Sequence, residues 1–200
     1  MTVGNQALAR RDEPRLLGDV TLEDANRVET VRMAAGPEAE LFIDANCSLD
    51  LYHSRQLCQM IEPFHIEFFE EPITQNDIRH MAELRSQTTI RLACGQNEGQ
   101  AYRFRDMMIA GAVDIIQPNV AITGGFTQCQ KIAALANSFN ISVDNGGAWP
   151  FFNQHLQAGL SNGGLVEYHY SSVEVCKQLY IELPEPKQGW LKMTDMPGLG

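Results

Sequence analysis

Six short apolar runs punctuate the chain: LFIDAN (41–46), IEFFEEP (66–72), IRLACGQNE (90–98), VDIIQPNV (113–120), ISVDNGG (141–147) and LVEYHY (165–170). Each has strand length, and their starts recur at the spacing of a strand–helix unit. Between them the apolar positions shift to helical spacing. TLEDANRVETVRMAAG carries Thr21, Glu23 and Asp24 where a helix N-terminus wants them, and it closes at Gly36. LDLYHSRQLCQMIEPF follows the first run, and NDIRHMAELRSQ the second, with Asn76 or Asp77 as its cap. GQAYRFRDMMIAGA, GGFTQCQKIAALANSF and FFNQHLQAGL follow the next three. Strand and helix in alternation, with short connections, predict a mostly parallel sheet flanked by helices.

The polar residues in this pattern are not scattered. Asp44, Glu70, Gln96, Asn119, Asn145 and Glu167 all fall at the C-terminal ends of their runs. That placement favours a (β/α) TIM-type barrel, whose reactive rim lies at the strand C-termini. A doubly wound open sheet is the second choice, and no glycine-rich phosphate fingerprint supports it. Six strands fall short of the eight a closed barrel needs, so the fold is expected to be an incomplete barrel spanning 1–200. The segment MTVG at the start offers a stub of one more strand.

Composition narrows the partners. The chain has 200 residues, 44% of them hydrophobic, and a net charge of −10. The acidic balance argues against nucleic acid or an anionic membrane. No apolar run approaches a membrane span. The five cysteines show no CxxC spacing and read as reduced thiols of a cytoplasmic protein.

The strand-end acids carry the candidate chemistry. Asp44, Glu70 and either Gln96 or Glu98 end three successive runs, and Glu98 shares the parity of Gln96 if the strand persists. Carboxylates held close together repel unless a cation neutralises them. Hard oxygen donors without cysteine or histidine point to Mg²⁺, with Mn²⁺ the alternative. Asn46 and Asn97 are expected beside the metal or the substrate. Glu71 has the opposite parity and reads as a structural acid. His169, two residues beyond Glu167, is the candidate for acid–base work, and His155 reads as a packing or capping residue. Trp149, with Phe151 and Phe152, reads either as an apolar wall over the site or as core.

FIDAN, FFEEP, ACGQNEG, DIIQPNV with TGG, and the terminal PGLG together resemble the enolase superfamily. The nearer likeness is to its mandelate racemase and muconate-lactonising branch, which includes acid-sugar dehydratases. The resemblance implies three acids binding Mg²⁺, which holds the carboxylate of a small substrate, plausibly a sugar acid, while a base removes the adjacent proton. It assigns Asp44 and Glu70 as ligands and Glu167 as a group that steadies the intermediate. Four positions depart from the family pattern. Gln96 stands where the third acid is expected, Thr2 where a catalytic lysine is, and Asn119 and Asn145 where an Asp and a His are. An amide takes no proton, so Asn119 and Asn145 are left as substrate-binding candidates. The alternative is a catalytically inactive remnant that binds only metal or a partner. The chain starts where the family's second barrel strand ends. It therefore reads as lacking the capping domain, and its open strand edges allow a homo-oligomer.

Overall fold

The structure, a computed structural model, describes residues 17–199. The strand stub at MTVG and the base position at Thr2 lie outside the described residues. The chain divides into two compact units, one comprising the residues up to Ala93 with Gly111–Val113, the other Cys94–Ala110 with the residues from Asp114 on.

The first unit contains α1 (Leu17–Ala35), β1 (Leu41–Asp44), α2 (Leu51–Ile61), β2 (Ile66–Glu70), α3 (Ile78–Arg85) and all of β3 (Arg91–Cys94) but its last residue. Helix α1 is already under way before Thr21, so the polar cluster there is not its N-terminus; Thr21 is buried. It ends as expected at Gly36, whose φ of +84° suits a residue without Cβ. Arg32 ties that end down by donating to the carbonyls of Gly36, Ala39, Phe64 and His65. In α2 the buried residues His53, Ser54, Leu57, Cys58 and Ile61 share one face. Asp50 caps the helix by accepting the His53 N–H at 2.8 Å. Of the two cap candidates for α3, Asp77 is the cap, accepting the His80 N–H. Ile61, Phe69, Met81, Leu84 and Leu92 are almost wholly excluded from water, each side chain contributing about 1.5–3 kcal/mol.

The second unit contains α4 (Gln100–Ile109), β4 (Ile115–Ile116), α5 (Val120–Thr123), α6 (Gly125–Ser138), β5 (Ser142–Asn145), α7 (Pro150–Ala158), β6 (Gly163–Val166) and α8 (Tyr170–Leu179). Cys129, Ile132, Ala133 and Ala136 make the buried stripe of α6. Phe151, Val173 and Cys176 form a second cluster, which pins α8. The sequence pattern had not marked α8.

All six predicted strands form, and the four ladders β1–β2, β2–β3, β4–β5 and β5–β6 are parallel. Three strands differ from expectation. β4 contains only Ile115 and Ile116, so Asn119 lies beyond it, as the N-cap of α5. β3 stops at Cys94, because Gly95 takes φ +124° and the chain turns, with the Glu98 N–H donating to the Gly95 carbonyl at 3.0 Å. The parity argument therefore does not reach Glu98. β6 begins earlier and ends at Val166, so Glu167 and His169 lie beyond the strand and share no strand face.

Candidate functional site

In the first unit β1 and β2 start in one register and finish in another. Leu41 pairs with Ile66, Phe42 with Phe68, and the extra residue in β2 sets Asp44 opposite Glu70. Register partners on parallel strands project to the same side, about 4.8 Å apart. Phe42 and Phe68 lock the shift, with ring centroids 4.7 Å apart. Asp44 is exposed and Glu70 is buried.

Why the apolar strand ends in Asp44 and Asn46 now has a local answer. Asn46 turns into the left-handed region at φ +47°. Its backbone N–H and side-chain amide donate to the two oxygens of Asp44 at 2.7 and 2.8 Å. Asn46 thus orients the Asp44 carboxylate rather than following it along a strand. Glu71 is the structural acid its parity implied. It is 1% exposed, its Oε1 accepts the Asn76 amide at 2.9 Å, and its N–H donates to Ala93. Burial, then the Glu71 charge, pushes the nearby Cys47 thiol up to about 12.

Asp44 and Glu70 are hard oxygen donors in register, and that chemistry fits a small divalent cation. Among the described residues no group of three His, Cys, Asp or Glu side chains is arranged to hold a metal.

The second unit carries the other predicted residues. Gln96 is buried, Asn97 exposed. Glu98 pairs with the Arg103 Nε at 3.2 Å, and its carbonyl accepts from Thr123. Asn119 is 0% exposed. Its Oδ1 caps α5 through the Ala121 N–H, and its Nδ2 faces the carbonyls of Gly146, Gly147 and Ala148 at 2.9, 2.6 and 3.1 Å. Asn145 is equally enclosed, donating to the Pro118 carbonyl. Glu167 accepts the Gly147 N–H at 2.6 Å and the Ala148 N–H at 3.4 Å on one oxygen. Successive N–H groups converging on an anion make a backbone nest.

That nest is strained. Gly147, Ala148 and Trp149 all have positive φ, at +75°, +67° and +57°, and the two non-glycine residues cost about 1–2 kcal/mol each. Asn153, 1% exposed on α7, helps hold them: it donates to the Ala148 carbonyl and accepts the Val120 N–H. Sequence reading missed Asn153. An asparagine on the apolar face of FFNQHLQ was the available signal, since a buried amide needs partners. Asp144 precedes Asn145 on β5. It is buried and accepts the Leu165 N–H, where an extra residue of β6 bulges against β5.

His169 caps α8. Its Nδ1 accepts the Ser172 N–H at 3.2 Å, and its carbonyl accepts the Ser172 hydroxyl. The His155 ring is 3.0 Å from the Leu199 carbonyl, in line with a packing role. Trp149, half-buried, packs against Phe151, Val173 and Cys176.

Strand–helix repeats with acids and amides at the strand C-termini define an incomplete (β/α) barrel of parallel strands. The chain belongs to the enolase C-terminal domain-like family, which matches residues 13–200. It is 28% identical over 182 residues to the arabinonate dehydratase of Saccharolobus solfataricus, covering 89% of this chain and 48% of that enzyme. It is 35% identical over 121 residues to the D-galactarolactone cycloisomerase of Agrobacterium fabrum, covering 60% of this chain and 32% of that enzyme. The solved structure of L-talarate dehydratase from Polaromonas sp. JS666, complexed with Mg and L-glucarate, superposes with a TM-score of 0.83. It is 29% identical, over 90% of this chain and 49% of that one. The chain thus spans about half the length of the relatives it matches. No described helix is long and apolar enough to cross a membrane.

Proposed function

We infer that this chain is barrel sequence of a divalent-metal lyase or isomerase that removes the proton next to the carboxylate of a sugar acid. The register pairing of Asp44 with Glu70 carries the reading. Mg²⁺, or Mn²⁺ in its place, would be held by Asp44 and Glu70. When bound, it supplies positive charge for a substrate carboxylate. Asn46 orients Asp44 for that task. Glu167, fixed by the Gly147 nest, is the side chain that would face the reacting part of the substrate. His169 is the remaining acid–base candidate by residue chemistry. The sugar-acid substrates of the dehydratase and cycloisomerase relatives support a small carboxylate as the ligand.

The test has two arms. Calorimetry should show Mg²⁺ binding to the chain and its loss in Asp44→Ala. A panel of sugar acids should then show dehydration or cyclisation, and its loss in Glu167→Gln. Metal binding without turnover across the panel would replace this reading with that of a binding remnant. Equal Mg²⁺ affinity in Asp44→Ala would remove both.

A further inference from the structure

We propose that Asn119 is the positioning residue for Glu167, acting through the loop between β5 and α7. Three observations in the second unit converge on this. First, the amide of Asn119 is divided between two tasks. Oδ1 accepts the Ala121 N–H and caps a short helix, while Nδ2 gathers the carbonyls of Gly146, Gly147 and Ala148. A cap alone needs only the acceptor. The three-carbonyl cluster needs a donor, and the isosteric carboxylate has none.

Second, the peptides whose carbonyls are gathered adjoin those whose N–H groups hold Glu167. The carbonyls of Gly146 and Gly147 belong to the same rigid, planar peptide units as the N–H groups of Gly147 and Ala148. Pulling the carbonyls inward toward Asn119 aims those N–H groups the opposite way, at Glu167 Oε2. Asn119 and Glu167 thus grip opposite ends of the same two peptides.

Third, the loop would not hold this shape by itself. Three consecutive residues have positive φ, and such a run persists only where its surroundings over-determine it. Space is also limited: a Cβ on Gly147 would lie 2.9 Å from the Gln96 side chain and 3.2 Å from Asn119 Nδ2. Asn119, itself 0% exposed, is therefore a fixed anchor.

This assignment rests on the proposed role of Glu167, and its test is separable from that role. Amide resonances of the isotope-labelled chain are recorded for wild type, Asn119→Ser, Asn119→Asp and Glu167→Gln, with thermal unfolding in parallel. Both Asn119 substitutions retain an oxygen able to cap α5 and remove the Nδ2 amide group that reaches the three carbonyls; aspartate keeps no donor, and serine keeps only a shorter hydroxyl. The Gly147 and Ala148 amide protons should move upfield in both, in the direction set by Glu167→Gln, while amides of the first unit stay in place. In the wild-type chain the same two amides should exchange slowly with solvent. Unchanged Gly147 and Ala148 resonances in folded Asn119 variants would reduce Asn119 to a helix cap and overturn the proposal. So would rapid exchange in the wild type, which keeps the test decisive if neither variant folds. Shifted amides with no sugar-acid turnover would leave the clamp standing and remove only the functional reading.

Discussion

Asp44 and Glu70 are register partners at the C-terminal ends of β1 and β2. Had the register not shifted after Leu41, Asp44 would pair with Phe69, and Glu70 would face the other side. The bulge is thus what brings two carboxylates to one side of the ladder, and like charges so placed favour a bound cation.

The metal reading makes a graded prediction. Asn46→Ala removes the side-chain donor that orients Asp44 and leaves the ligand in place. Loss of such an orienting partner costs about 10–100-fold in metal affinity. Asp44→Ala removes the ligand and should cost more. Calorimetric titration of Mg²⁺ into the two variants should rank them in that order; equal affinities would show that Asn46 serves only the turn.

Gly95 is where β3 ends, and it should tolerate no side chain. Its φ is +124°, and a Cβ would lie 2.6 Å from the Phe104 ring. Gly95→Ala should lower stability by more than about 1 kcal/mol, since backbone strain adds to the clash. Phe104→Leu in the same chain should recover the packing part and not the φ part. Denaturant unfolding of the single and double variants separates the two.

This turn also shows where sequence reading stops. Short apolar runs marked all six strands, because a run of strand length is a local property of the sequence. The ends of β3 and β6 were misplaced for another reason. The residue type at Gly95 does not report that its φ is +124°, nor that the Phe104 ring, nine residues away, leaves no room for a Cβ. Asp44 and Glu70 were legible because acids ending apolar strands are rare and local. Asn119 and Asn145 were read as substrate contacts because residue type does not report burial. The structure buries both, with Asn119 donating to the Gly146 carbonyl and Asn145 to that of Pro118.

The cap of α2 should appear in the acid limb of stability. The Asp50 carboxyl is held below its usual range chiefly by the His53 N–H, against partial burial, and further by the His53 imidazole. A carboxylate whose folded value is depressed stabilises the fold above its unfolded value, about 3.9. That contribution is lost as pH falls through the lower folded value. The side chain is 58% exposed, so solvent screening keeps the effect under about 1 kcal/mol. Asp50→Asn keeps a capping oxygen and removes the titration. Its Tm should fall less than that of the wild type between about pH 4 and pH 2, and parallel curves would show that Asp50 does not sense pH.

Cys47 separates accessibility from reactivity. Of the five free thiols it alone is not buried, so exposure by itself would make it the fast one. Its thiol is nevertheless pushed up to about 12, by burial first and by the Glu71 charge second. The thiolate is the nucleophile, and each unit of pKa removes about tenfold of it at neutral pH. Cys47 should therefore react with dithionitrobenzoate at pH 8 more than about a hundredfold slower than a free thiol near 8.5. Glu71→Gln removes the charge and keeps an oxygen for the Asn76 amide, so the fold should survive. The rate at Cys47 should then rise severalfold. An unchanged rate would leave burial alone responsible, and a fast wild-type rate would mean the turn around Glu71 opens in solution.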